Sequence, residues 1–275
     1  MTAATHIHPS AVVAPGAELD SGVQIGSYTV IGPHVRIGRE TQVGPHAVIE
    51  GRTTIGRHNH IFQFASVGAV PQDKKYAGED SQLIIGDHNT VREFATLQPG
   101  TTGGGMITRV GDHNLFMVYS HVAHDCVLGS HIVMANSANL GGHVAIEDFA
   151  VIGALAGIHQ FARIGESAII GAGAMVSLDV PPYCMAQGDR AYLFGLNLIG
   201  LKRRGFTTAQ LETLKKAYRA LFSEGEPFKQ ALARVSQEYG DGPEVAHLVE
   251  FISRSQRGVC RPRSGASADA DGAAD

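Results

Sequence analysis

The sequence predicts a mainly-β chain: a parallel β-helix of hexapeptide repeats, wound as a triangular prism and followed by a C-terminal α-helical domain. Three observations lead there. Large aliphatic residues recur every six positions through the first two thirds of the chain. Aromatic residues are scarce at 7%, with no Trp, while Gly reaches 34 residues. The core must therefore be built from small aliphatics in a regular array with frequent turns. Beyond a Pro-Pro pair at 181–182 the apolar spacing becomes that of helices.

The six-residue step starts at Ile7 and runs unbroken through Val13, Leu19, Ile25, Ile31 and Ile37 to Val67. It resumes at Ile85, Val91 and Leu97, and again from Val110 through Phe116, Val122, Leu128, Met134 and Leu140 to Val176. Of these 26 positions, 24 are Ile, Val or Leu. Unrelated amphipathic strands would alternate with period two and would not produce this pattern. Each repeat is read as a short strand with its aliphatic side chain inward. Three repeats close a coil of 18 residues, and coils stack at the strand spacing of ~4.8 Å.

Two segments leave the rhythm. Residues 69–83, AVPQDKKYAGEDSQL, are polar, yet Val67 to Ile85 spans 18 residues and keeps the phase. Residues 98–109, QPGTTGGGMITR, are Gly-rich and one residue too long for the period. Both are predicted as excursion loops, and loops on a rigid scaffold commonly carry function. The prism is assigned to residues 1–186 and the helical domain to 187–260. There Thr207 and Gln210 form a capping box, Phe206 and Leu211 are placed as a hydrophobic staple, and Gly225 stops the helix. Pro227 to Gly240 and Pro243 to Gly258 then repeat a Pro-start, Gly-stop device. The small, polar tail 261–275 is expected to be disordered.

Composition excludes several classes. A net charge of -4 argues against nucleic acid as the main partner. Cys126, Cys184 and Cys260 are too few and too scattered for a disulfide framework. No stretch approaches the ~20 apolar residues of a membrane span, and the N-terminus lacks the apolar run of a signal peptide. A cytoplasmic protein is expected.

The stretch SHVAHDCVLGSH, residues 120–131, gathers three His, an Asp and a Cys. Val122 and Leu128 are inward positions, so His121 and His124 are expected to face outward. One coil on from 124 lies 142, beside His143; two coils on lies 160, beside His159. Polar groups distant in sequence thus converge on one edge. On the residues alone three readings stay open. One is a solvated polar ladder, which suits His6, His8, His34, His46, His58, His60, His88 and His113. Another is a general base with polar helpers. The third is a zinc site; it ranks last, because zinc needs ligands that converge on a point.

The motifs HVAHDC, GGHV, IHQF, VPPY and GLKRRGF, with QDKKYAGE in the first loop, closely resemble the acyl-ACP:UDP-N-acetylglucosamine O-acyltransferases, the family that opens lipid A biosynthesis in Gram-negative bacteria. The resemblance covers the chain except its extreme C-terminus. It implies a left-handed parallel β-helix that assembles as a homotrimer. It also implies transfer of an (R)-3-hydroxyacyl group from acyl carrier protein to the glucosamine 3-OH of UDP-N-acetylglucosamine. In that family pattern His124 is the general base, Asp125 orients it, and the Gly142 N–H stabilises the oxyanion. No acyl-enzyme forms, so Cys126 is not a nucleophile. Gln72, Asp73, Lys75, His121, His143, His159 and Gln160 match residues that line sugar and pantetheine. Asn197, Arg203 and Arg204 match the nucleotide end. Ile169, Ala172 and Arg190 match the acyl-chain ruler. Lys202, Lys215, Lys216 and Arg219 would face the acidic carrier protein. No metal and no cofactor beyond the donor's phosphopantetheine thioester is implied, and neither a nucleic-acid partner nor a transmembrane segment.

The chain departs from the family at two points: Ile199 stands where others have Glu, and Arg190 where others have His. Strand neighbours point to opposite sides, so a direct His124–Asp125 contact requires a turn between them. The alternatives are a related hexapeptide acyl- or acetyltransferase acting on another nucleotide sugar or an amine, and a zinc hydratase of the carbonic-anhydrase type.

Overall fold

The structure is a computed structural model that describes residues 4–222 and 226–263. Strands of mostly two residues, from His6–Ile7 to Met175–Val176, are dealt in turn onto three parallel sheets. Face A starts with His6–Ile7 and Gln24–Ile25, face B with Val12–Val13 and Val30–Ile31, and face C with Glu18–Leu19 and Arg36–Ile37. Register follows the period. Ile7 pairs with Ile25, Ile25 with Val43, and Val43 with Ile61. Backbone bonds between coils, such as His6 N–H to Val23 C=O at 2.8 Å, hold that register. The six-step residues point inward: Ile31, Ile61 and Ile152 are fully buried, whereas Ile7 on the terminal coil is 42% exposed.

A second inward position lies two residues before each of these, and the sequence reading did not find it. Ala47, Ala65, Ala95, Ala138, Ala150 and Ala168 occupy it and are buried. They sit beside the corners of the triangle, where small side chains are the commonest filling, although Val35, Ile132 and Val144 are buried at the same position.

At most corners the residue just before this inward position is left-handed, even where it is not Gly: Tyr28, His46, Phe64, His88, His113 and Tyr119 have φ between 57° and 63°. Such a conformation costs energy in a non-Gly residue. Stacking offsets it, because registry sets each corner side chain above the last. Tyr28, His46, Phe64, Phe94 and Tyr119 stack at 4.8–5.4 Å along the A–B edge. His58, His88, His113, His131 and Phe149 stack at 4.6–4.9 Å along the C–A edge. Beneath the histidines runs a buried asparagine ladder, with Asn59 Oδ1 accepting from Asn89 N–H and Asn89 Oδ1 from Asn114 N–H.

Both excursion loops leave at the B–C edge. Face B strands end at Val67 and Leu97, and face C resumes with Gln82–Ile85 and Ile107–Val110.

The coil does not stop at Val176. Val180 bridges to Ile164, and Cys184–Gln187 adds to face A before turning into an antiparallel strand, Tyr192–Leu196. The Pro pair is tolerated in this last turn. Pro181 takes the place of Gly165, whose N–H bonds onward to Val180 C=O; beyond Pro181 no further coil waits for a donor.

Four helices follow: α1 (Leu198–Arg203), α2 (Thr208–Phe222), α3 (Phe228–Tyr239) and α4 (Pro243–Ser253). The hairpin and α1 have no apolar period and were not foreseen. The capping box forms, with Thr207 N–H donating to Gln210 Oε1 at 2.8 Å and Gln210 N–H to Thr207 Oγ1 at 3.3 Å. The expected stop at Gly225 lies outside the described residues, as does most of the tail, 264–275. The helix from Pro243 ends at Ser253, short of Gly258. It docks on the prism through Arg163, whose guanidinium lies 4.0 Å from the Phe251 ring centre and donates to Phe251 C=O at 3.1 Å.

The prism predicts unequal costs for equal truncations. Ile152→Ala, in a fully buried coil, should lower unfolding free energy by about 2–5 kcal/mol. Ile7→Ala, on the exposed terminal coil, should stay within about 1 kcal/mol of the parent. Urea denaturation monitored by circular dichroism measures both.

Candidate active site

The histidine stretch lies at the B–C edge, in the coil directly after the two loops. Asp125 is its left-handed corner residue, with φ 61°. The chain turns there, so the carboxylate reaches back to the ring of its own neighbour. His124 Nδ1 stands 2.8 Å from Asp125 Oδ2. The turn that a direct contact requires is present.

The Asp125 side chain is 0% exposed, and a buried carboxylate needs donors. The Gly-rich loop supplies them. Thr101 N–H donates to Oδ1 at 2.8 Å and Thr101 Oγ1–H to Oδ2 at 2.6 Å. Asp125 N–H in turn donates to Thr108 Oγ1 at 2.8 Å. Gly104 packs so closely that any Cβ would overlap the carboxylate. A carboxylate only accepts, so the neutral form of His124 carries its proton on Nδ1 and presents a bare Nε2.

His124 was expected to face solvent. Its side chain is only 14% exposed, tucked against Gly142, where a Cβ would lie 2.5 Å from Cε1 and 2.7 Å from Nε2. Only glycine allows this approach. Among the described residues the Gly142 N–H has no hydrogen-bond partner.

Two further histidines flank the pair. The His143 ring meets His124 edge-on at 5.1 Å and stacks on Phe161 at 4.3 Å. Burial lowers its pKa, against the opposing pull of Asp125, while His124 lowers it further and the charge of Asp73 raises it. His121 Nδ1 lies 2.6 Å from Thr96 Oγ1, and burial, then the neighbouring His124, lowers its pKa as well. Both are neutral near pH 7. Cys126 points into the core, and burial pushes its thiol up to about 12, so it is no nucleophile.

In the first loop, Asp73 accepts from Lys75 N–H at 3.0 Å, and Gln72 N–H donates to the buried Gln98 at 3.1 Å. Glu79 accepts from Thr102 N–H at 3.3 Å and so ties the two loops together. The Gln72 and Lys75 side chains are exposed. His159 and Gln160 lie two coils further along the same edge, exposed, with Arg257 Nη2 at 3.2 Å from His159 Nδ1. They make no contact with His124 among the described residues.

The remaining candidates lie elsewhere. A cavity of ≈ 530 Å³ opens on face A beside the C–A edge, lined by His131, Phe149, Ile169, Ile199, Arg203 and Arg204 among others. Asn197 is buried and caps α1, accepting from Gly200 N–H at 2.9 Å and donating to Ser167 C=O at 2.8 Å. Its side chain is committed to structure. The Arg204 guanidinium lies 3.7 Å from the Phe149 ring centre and bonds Glu166 Oε1 at 2.6 Å. Arg203 is exposed and, among the described residues, unpaired. Ile169 faces this cavity. Ala172 is exposed at the A–B corner, and Arg190 is exposed at the tip of the hairpin, which bonds Met175 through Gly188 C=O at 2.9 Å. Thr96, Thr101, Thr108, Phe161 and His131 were not foreseen. The phase of His131 with His113 at the same corner was the one available signal.

Residues 179–260 match the family model described as Udp N-acetylglucosamine O-acyltransferase, domain 2. Residues 4–39 match bacterial transferase hexapeptide (six repeats). The acyl-[acyl-carrier-protein]–UDP-N-acetylglucosamine O-acyltransferase of Neisseria gonorrhoeae is 54% identical over 94% of this chain and 100% of its own length. The chain belongs to this family.

Solved relatives agree on the shape of this O-acyltransferase. LpxA from Acinetobacter baumannii superposes with a TM-score of 0.90 at 42% identity, covering 93% of this chain and 99% of its own. The Francisella novicida UDP-N-acetylglucosamine acyltransferase gives 0.92 at 38% identity, covering 98% and 99%. A coil of opposite hand would not superpose so well, so the prism is a left-handed parallel β-helix. Family membership does not favour the zinc-hydratase alternative. Ligand-type atoms of His124, Asp125 and His143 do lie within 4.8 Å of one another, but Asp125 Oδ2 already serves Thr101 and His124. Among the described residues no helix of the O-acyltransferase is long and apolar enough to cross a membrane.

The Thr101–Asp125–His124 chain makes a tautomer prediction. In Asp125→Asn the Thr101 N–H holds the amide oxygen at the Oδ1 position, so the NH₂ takes the Oδ2 position, faces His124 Nδ1 and drives the ring proton to Nε2, with Thr101 Oγ1 turning to accept. Nitrogen NMR of the ring should report Nδ1–H in the parent and Nε2–H in the variant. The same tautomer in both would overturn the donor assignment.

Proposed function

We propose that this O-acyltransferase transfers an (R)-3-hydroxyacyl group from acyl carrier protein to the 3-OH of UDP-N-acetylglucosamine, the opening step of lipid A biosynthesis. The observation that carries the reading is the bare Nε2 of His124, aimed past Gly142 and backed by a buried, triply bonded Asp125. Nε2 takes the hydroxyl proton as the oxygen attacks the thioester carbonyl. The carbonyl oxygen becomes an oxyanion beside the unpaired Gly142 N–H. The intermediate collapses, the C–S bond breaks, and His124 returns the proton to the departing pantetheine thiol. Asp125 stabilises the imidazolium in between. Neutral His121 and His143 add no positive charge that would disfavour it. Every step uses groups of the chain itself, the side chains of His124 and Asp125 and the backbone N–H of Gly142, and calls for no metal or further cofactor.

Asp73, Gln72 and Lys75 in the adjacent loop suit the sugar, with His159 and Gln160 further along the edge. Arg203 and Arg204 in the face A cavity suit a diphosphate, with Asn197 shaping the turn that presents them. Ile169, Ala172 and Arg190 suit the acyl-chain ruler. The basic residues Lys202, Lys216 and Arg219 suit an acidic carrier protein. A reaction fed by acyl carrier protein and a nucleotide sugar belongs in the cytoplasm.

The His124 cluster sits at the B–C edge and the arginine cavity on face A. One acceptor needs both. Side-by-side prisms, with the B–C edge of one against face A of the next, complete the site, and three copies close the ring. A stripe of half-buried outward aliphatics on face A, Leu115, Val133, Val151 and Ile169, provides apolar contact.

Two measurements test this. Purified enzyme, assayed with UDP-N-acetylglucosamine and hydroxyacyl carrier proteins of graded chain length, should acylate the 3-OH with one preferred length. His124→Ala should remain folded but turn over roughly 10²–10⁴-fold more slowly; turnover at the parental rate would remove the mechanism. Light scattering of active enzyme should give three times the chain mass, and a monomer mass would remove the shared site.

A further inference from the structure

Behind the arginine cavity lies a second polar network that acyl transfer does not use. Its centre is His247 on α4, which bridges two consecutive coils. Nε2 stands 3.0 Å from Glu147 Oε2. Nδ1 stands 3.0 Å from the Tyr183 hydroxyl and 3.5 Å from Glu166 Oε2. That hydroxyl is 3.4 Å from Glu166 Oε2. The other oxygen, Glu166 Oε1, accepts from Arg204 at 2.6 Å, and Arg204 also bonds the Ser167 hydroxyl. Glu166 N–H donates to Glu147 Oε2 at 2.9 Å.

Donors and acceptors fit in one arrangement. The carboxylates of Glu147 and Glu166 only accept, so the hydrogens come from His247, Tyr183 and Arg204. An imidazolium supplies two. Nε2–H goes to Glu147 and Nδ1–H to the Tyr183 oxygen, which leaves the phenol hydrogen for Glu166 Oε2. A neutral ring supplies one. If it keeps Nε2–H for Glu147, its bare Nδ1 takes the phenol hydrogen, and Glu166 Oε2 loses its donor. The hydrogen bond to Glu147 is the main cause of a raised pKa at His247; the charges of Glu147, Glu166 and Glu250 add to it, and burial opposes it. Burial, with Glu166, Glu244 and Glu147 nearby, pushes the Tyr183 pKa up, so it stays a phenol. Arg204 is the remaining charge, beyond Glu166.

We propose that His247 is a positioning residue for the acceptor: its protonated ring holds Glu166, through Tyr183, in the orientation that presents Arg204 to the anionic part of the nucleotide. This rests on the reading that Arg203 and Arg204 receive the diphosphate. Loss of the proton has two effects on that site. It frees Glu166 to shift with Arg204, and it leaves one more net negative charge beside an anionic ligand. Both weaken acceptor binding and leave the His124 step alone. By linkage, bound nucleotide strengthens the hold of His247 on its proton.

The test is steady-state kinetics of the assembled enzyme with UDP-N-acetylglucosamine from about pH 6 to about pH 9, across the titration of a raised imidazole. In the parent, KM for the acceptor should rise about fivefold or more as His247 loses its proton, with no matching fall in kcat. His247→Gln and Tyr183→Phe should start with the higher KM and flatten its pH profile. Arg204→Ala tests the underlying reading. If it leaves KM unchanged, the diphosphate assignment falls and takes this proposal with it. If Arg204→Ala raises KM while His247→Gln and Tyr183→Phe keep the parental KM and profile, only the positioning role falls. Should His247→Gln fail to fold, Tyr183→Phe decides alone, because it keeps the His247–Glu147 contact.

Discussion

The 18-residue registry between coils is the constraint on which the rest of this molecule depends. Each strand pairs with its counterpart one coil on, as Ile25 does with Val43 and Val122 with Leu140. Registry turns a one-dimensional repeat into columns. Inward columns become a continuous aliphatic core, and corner columns become stacks of rings. The left-handed backbone at each corner is held by its neighbours above and below, so the cost of one non-Gly turn is shared along a row. The same geometry turns Asp125 back onto His124. The His124–Asp125 contact is an ordinary corner of the prism, occupied by a carboxylate instead of a ring.

Registry alone would leave that carboxylate exposed. The two loops at the B–C edge convert the corner into a site. The Gly-rich loop encloses Asp125 with two Thr101 donors and the close approach of Gly104. The polar loop is pinned to it through Gln98 and Glu79 and brings the charge of Asp73 within reach of His143. A buried, fully bonded acid fixes a tautomer, and a fixed tautomer fixes which nitrogen of His124 is basic. The prism supplies rigidity and the loops supply the dry surroundings.

What was legible in the sequence follows from this division. The inward residues from Ile7 to Val176 were legible because burial imposes a strict period. The edge shared by His124, His143 and His159 followed from the same arithmetic. The corner alanines were missed because a small residue carries little hydrophobic signal. The corner turns were missed because Tyr28, His46 and Phe64 do not resemble turn-formers; only stacking makes them so. Thr101 and Thr108 sit where the period lapses, and the spacing of a loop says nothing about what it folds over. Helices α2, α3 and α4 announced themselves through Pro, a capping box and apolar spacing. Helix α1 and the hairpin before it had no such marks. The Pro pair at 181–182 read as a terminator, whereas a final turn with no successor has no use for the amide hydrogens it lacks. The roles of Asn197, Arg203 and Arg204 came from family resemblance; all three line the face A cavity, but Asn197 is occupied in a helix cap and Arg204 in the Glu166 ion pair, while Arg203 is unpaired among the described residues.

The row of rings on the A–B edge also makes the prism its own optical gauge. The chain has seven tyrosines and no tryptophan, so its near-ultraviolet signal comes from tyrosine and, more weakly, phenylalanine. Tyr28 and Tyr119 close the two ends of a face-to-face column that spans the coils beneath both loops. Rings held in a fixed, twisted array give circular dichroism that free rings lack. A slip of one coil against the next would break the column, so the dichroism of these tyrosines reports the alignment of the coils even while the backbone signal of the strands persists.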